Sequence, residues 1–538
     1  MSTKHDLQLQ PSLSSYKGVW DEVAAKHLLR RTMFGVKKSD IKAFVDLGIT
    51  KSIQKLLDAT EAFPNPPVKE YNPANATVAD TNILAGQTWV NDPATDGTVM
   101  SLRRASFKKW WIGNLITQGT SLREKMTLFW HNHFSNEATD VSNSQYVYKH
   151  FNLLRTNALG NVKALVTAIC TDPAMLVYLN GQSNRKGAAD ENFAREIQEL
   201  FVIGKGVGAK YTESDVKEAA RLFTGWRNNA SQINSYFDID RHDTGNKQFS
   251  SFYNNKLISG RNNSTAGIDE INDFINMLFG TNEAALFLCR KLYIWFVYYD
   301  ITPEIESAII VPMAKILRDN NYNIKPVLSA LLSSEHFFDE MNRGCQIKSP
   351  VDLIIGMARE FEISFSSPDN YTVNYGLWNQ LVNYCNFLQQ NIGDPPDVSG
   401  WKPYYQAPSF YEYWLNSDTL PKRLQYTTNL LSNGYTFSGF KMIVDVLAYS
   451  RKMSSPRDPN KLIEEISMHL LGLPISLQHR DQLKKDILLT GQSDDYYWSN
   501  AWDTYIASPA NVTNTKYVTN ALTSLLRYML ELPEYQLS

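Results

Sequence analysis

Arg123-Glu124-Lys125-Met126-Thr127-Leu128-Phe129-Trp130-His131-Asn132-His133-Phe134 is the stretch from which the fold reads outward. Leu122, Met126, Phe129 and His133 recur at i, i+4, i+7 and i+11, the spacing of one face of an α-helix. On such a helix His131 is rotated from His133 by about 200°, so the two rings cannot share a metal. If the helix ends near Trp130 and the chain runs extended, residues i and i+2 point the same way. Joint ligation therefore requires a helix break. The other reading is a buried aromatic helix end with His133 hydrogen-bonded in the core. Imidazole is the commonest protein metal ligand and the usual proton shuttle near neutral pH, which makes this stretch the first candidate for chemistry.

The same 3.6-residue period recurs along the chain. Asp21 opens a helix carrying Ala24, Ala25, Leu28 and Leu29, with Arg30-Arg31 near its end. Ser39 and Thr50 read as N-caps of two further helices, and Thr212 as the N-cap of another with acidic residues in its first turn. Asn192, Glu196 and Glu199 fall along one flank of a helix reaching about Val202. Period-2 runs are few. The expectation is a mainly α, multi-helix globular protein with a small β or irregular insertion near residues 229–265, its hairpin tip at Thr244–Asn246. The chain divides into a flexible start (1–18), a helical core (19–425) and a C-terminal helical subdomain (426–538).

Composition narrows the function classes. With 43% hydrophobic and 20% charged residues the chain is globular. A net charge of −2 gives no basic field for nucleic acid. Cys170, Cys289, Cys345 and Cys385 lack zinc-finger spacing, and Cys170 and Cys289 read as buried free thiols. Gly204, Gly206 and Gly208 lack the strand and the Lys-Ser/Thr of a phosphate loop, so no nucleotide is expected. No GxSxG elbow occurs, which disfavours a serine hydrolase. No apolar run spans a membrane and no apolar leader precedes Asp21, so the sequence reads as cytoplasmic. A removed leader, or export by a partner, would instead place it in the periplasm or cell envelope.

The candidate site combines His131, His133, Glu196 and His242 as metal ligands. Nitrogen and oxygen donors of this kind suit zinc, iron or manganese. Glu199 is the candidate general base and Arg195 the candidate stabiliser of an anionic transition state. The competing reading has Glu196 and Glu199 pairing with Arg195, Arg221 or Arg290 in a structural network. Trp226 and Trp401 follow glycines at loop corners and are candidates for stacking on substrate, with packing as the alternative. His27 and His336 read as core histidines.

Several stretches together resemble the bacterial domain-of-unknown-function family 1800. They include Ala25–Gly35, Arg123–Phe134, Glu191–Phe201, Tyr211–Val216, Phe223–Trp226, His242–Lys247, Leu288–Leu292, Ser334–Phe338, Lys348–Pro350 and Pro395–Trp401. The resemblance implies a largely helical, often exported protein. It also implies a partner from the sulfatase/phosphatase-like domain-of-unknown-function family 1501, commonly encoded alongside. Two functions follow as expectations: a metal-dependent, hydrolase-like enzyme acting on a polymer or modified protein, or a non-catalytic assembly partner of that sulfatase/phosphatase-like protein.

Overall fold

The computed structural model describes residues 11–58, 62–71, 80–401 and 413–538. Helices dominate it, and the strands among these residues form three two-stranded antiparallel hairpins. Two hairpins fall where the insertion was expected: Trp226–Asn229 pairs with Asn234–Phe237, and Lys247–Gln248 with Leu257–Ile258. Thr244–Asn246 is not a hairpin tip but the approach to the second pair. It is bent by Asp243, whose carboxylate accepts from Gly245 N at 2.9 Å.

Local signals place several helix starts. Asp21 caps Glu22–Thr32 by accepting from Val23 N and Ala24 N. Thr212 and Asp215 form a reciprocal capping box on Glu213–Leu222, satisfying two amides that the helix cannot. Ser39 and Thr50 are not caps. Their helices begin at Lys38 and Ile49, the first without a side-chain cap. Residues 11–18 are held rather than frayed: Tyr16 N donates to Ser333 O, and Lys17 N to Glu335.

Two apolar cores form. One gathers Glu22–Asp58, Val162–Ile169 and the helices from Ala266 to Leu332. The other gathers Gly97–Thr117, Pro350–Glu360, Tyr371–Phe387 and the helices after Thr419. The segment 426–538 thus shares a core with earlier helices. Arg123–His133 lies at the seam, giving Met126, Phe129 and Trp130 to the first core and Leu128 to the second. No described helix is long and apolar enough to cross a membrane.

Candidate functional site

The seam helix runs unbroken through His133, and Phe134 N closes it onto Trp130 O at 2.7 Å. The break needed for joint ligation is absent, so His131 and His133 face different surroundings. His131 sits among Trp111, Trp401 and His150, with ring centroids 5.1, 5.6 and 6.3 Å away. Neither of its ring nitrogens has a hydrogen-bond partner. His133 donates from Nε2 to Phe201 O at 2.9 Å and lies parallel to Phe129. Burial, then the charges of His150 and Lys108, push His131 down to about 3. Burial, then Lys291, holds His133 well below the usual range, so both rings are neutral.

His133 has a bond to lose and His131 has none. His133→Leu is therefore expected to cost about 1–3 kcal/mol more than His131→Leu, because it strands a buried carbonyl. Urea unfolding of the two variants checks this; equal midpoints would contradict the assignment.

Asn132, between them, is the tie to a distant loop. Its Oδ1 accepts from Trp401 N at 2.8 Å. Gly400 has φ +89°, and a Cβ there would stand 2.3 Å from Asn132 Oδ1 and 2.4 Å from Asn132 O. The loop can close on the helix only because residue 400 has no side chain. Asp394 fixes its start through Lys108 and Thr139 N. The His-Asn-His triplet thus pins three pieces: the aromatic wall around Trp111, the loop at Trp401, and the segment ending at Phe201.

That last segment is unusual. Asn192–Glu196 is α-helical, but Ile197–Val202 widens into a π-helical turn, a distortion found most often at functional sites. Glu196 stands where the two meet. It is half-buried, and no described side chain hydrogen-bonds it or forms an ion pair with it. Burial, then the negative charge of Glu199, raises it to about 7; Asp397 adds to this, while Lys205 and Arg195 partly offset it. Glu199 is engaged by Lys205 at 2.5 Å and Arg195 at 3.4 Å. Arg195 is itself held by Glu213 at 2.7 Å and Glu191 at 3.0 Å. Burial, then Asp140 and Asp394, also raises Glu137.

The four expected metal ligands do not converge. His242 donates from Nδ1 to Thr224 O at 2.9 Å and presents Nε2 to Glu270 Oε1 at 3.2 Å. Glu270 also takes Lys247 at 2.6 Å, a buried network of its own. Among the described residues no three His, Cys, Asp or Glu side chains stand as a metal-binding group. Trp226 and Trp401 are 8% and 4% exposed, so both pack and neither offers a face for stacking. His27 and His336 are core histidines, bonded to Phe337 O and Tyr293 Oη. Sequence reading missed Asp397, whose charge reaches both Glu196 and Glu137, and His150, whose Nδ1 meets Asp172 at 2.9 Å.

A family model described as "Protein of unknown function (DUF1800)" matches residues 27–537, nearly the whole chain. The chain belongs to the DUF1800 family. Comparison with curated proteins and with solved structures returned no match. Three of the stretches that resemble DUF1800 meet here: Arg123–Phe134 bonds to Pro395–Trp401 and to Glu191–Phe201. Roomier hollows lie elsewhere. One of about 500 Å³, lined by Lys38 and Glu465 among others, is walled by their ion pair.

Proposed function

We propose that this DUF1800 protein is an enzyme of hydrolytic type in which Glu196 transfers the proton. The observation that supports it is the state of Glu196: a half-buried carboxylate, unpartnered, at the edge of a π turn, holding its proton up to about pH 7. A proton-transfer group works best when its pKa lies near the operating pH. Glu199, ion-paired beside it, supplies the fixed negative charge that sets it apart. The role first expected of Glu199 thus passes to Glu196, and Arg195 serves to hold Glu199. A polymer or modified protein remains the proposed substrate. The metal expectation keeps no ligand set among the described residues, and elemental analysis of the purified protein checks whether zinc, iron or manganese is bound. The test of the enzyme reading is turnover of polymeric and ester substrates by wild type and by Glu196→Gln. Equal turnover would remove Glu196 from the chemistry.

A second reading is assembly with the sulfatase/phosphatase-like family 1501 partner, which would also carry the chain to the periplasm or cell envelope. It draws support from apolar side chains left exposed late in the chain, among them Leu477 at 79% and Val512 at 78%, with Tyr496 and Tyr497 also exposed. Co-expression and affinity capture should recover the pair, and Leu477→Glu with Val512→Glu should release it. Capture unaffected by both substitutions would count against this surface.

A further inference from the structure

On the other side of Asn132 lies a crevice of about 70 Å³ whose wall includes Arg30, Arg31, Lys125, Trp295, Trp401 and Ser349. Its charge is unbalanced. Arg31 is 2% exposed and forms no ion pair with any described carboxylate; its guanidinium reaches only Val297 O, Asn342 O and Cys345 Sγ. Arg30, equally deep, bonds the carbonyls of His469 and Leu470 and stands 3.8 Å from Glu360. Glu360 is shared with Lys348, also at 3.8 Å. Asp352 is occupied by Lys125 and by Ser349 Oγ. Ser538 reaches the rim, and no ion pair joins it to a described cation.

Donors are in surplus as well. Arg30 Nε and Nη1, Arg31 Nε, and the indole N–H groups of Trp295 and Trp401 have no acceptor. An uncompensated buried cation costs several kcal/mol, and unmet buried donors add to that. Both deficits would be met at once by an anion with several acceptor oxygens. The volume is that of about two waters, which excludes an extended chain and fits one compact group.

We infer that this crevice binds a compact tetrahedral oxyanion, of the phosphate or sulfate class, between Arg30, Arg31 and the indoles of Trp295 and Trp401. Guanidinium forks match such oxygens in geometry and charge. The inference is independent of Glu196, although both places depend on the loop that Asn132 holds.

Calorimetric titration of the full chain with sodium phosphate, sodium sulfate and sodium acetate, at ionic strength fixed with chloride, tests it. Phosphate or sulfate should bind at one saturable site with a Kd of about 1 mM or tighter. Arg31→Met should weaken that binding by at least about tenfold, as loss of a charged donor does. Trp295→Phe keeps an aromatic ring and removes the indole N–H; it should weaken binding by a few-fold and carries the test if Arg31→Met does not fold. Absence of saturable binding to wild type overturns the inference. So does affinity unchanged in both variants, or acetate binding as tightly as the tetrahedral ions.

Discussion

Glu270→Ala is expected to lower the unfolding free energy by about 3–5 kcal/mol, the usual result of removing one partner from a buried ion pair. Glu270 and Lys247 are both fully buried. The carboxylate accepts from Lys247 at 2.6 Å and from Arg261 N at 2.8 Å, and faces His242 Nε2 at 3.2 Å. Alanine would leave an ammonium in the core with the Asp243 carbonyl as its remaining acceptor. Burial alone would raise Glu270, but His242 and Lys247 outweigh it and hold the carboxyl below its ordinary 4.5. Its stabilising contribution is therefore full above the unfolded value and is lost as pH falls through the lower folded value. Denaturant unfolding across the acid range should show the gap between wild type and Glu270→Ala narrowing as pH falls, because other paired carboxylates titrate in both proteins and only this increment differs. Replacing Lys247 by Met and Glu270 by Leu together should cost less than Glu270→Ala, since no lone charge remains. A single substitution costing under about 1 kcal/mol would show that the charges are not compensating each other.

This network explains what sequence reading could and could not reach. His242 and Lys247 stand out within the family-like stretch His242–Lys247, yet their shared partner lies in the helix Ala266–Phe279, which carries no local mark of the pairing. The same holds for Asn132 and Gly400, 268 positions apart by subtraction of their numbers. Helix periodicity is a short-range signal, so the mainly α fold and the separation of His131 from His133 were legible from spacing. The β insertion was legible from the loss of that period, but its pairing was not, because register depends on contacts the turn residues alone do not specify. The π turn was hidden for another reason. Asn192, Glu196 and Glu199 fit a regular α-helix, and the extra residue that widens the turn after Glu196 is favoured by tertiary contacts. Phe201 O goes to His133, and Gln198 Oε1 accepts from Tyr253 Oη at 2.8 Å.

Glu196→Gln is expected to reduce turnover by about 10²–10⁴-fold, the contribution of a positioned proton-transfer group. The substitution keeps size and polarity and replaces the ionisable carboxyl by an amide that cannot give up a proton near neutral pH. Glu196 also makes stability depend on pH, which can be measured without a substrate. Glu196 unfolded titrates at its ordinary 4.5, whereas in the fold burial and then Glu199 raise it to about 7. Below 4.5 both states are protonated and the group contributes nothing. Between 4.5 and about 7 the unfolded chain releases the proton that the fold retains, so stability declines as pH rises; above 7 the full penalty is in place. Glutamine cannot ionise, so Glu196→Gln should match wild type at low pH and melt progressively higher than it through the neutral range. The difference should level off once Glu196 is charged. Glu199→Gln should shift this curve, because it removes the neighbour's negative charge and lets Glu196 ionise at lower pH. Parallel melting profiles for wild type and Glu196→Gln at every pH would mean that Glu196 is an ordinary solvated carboxylate, and the proposed chemistry would lose its proton donor.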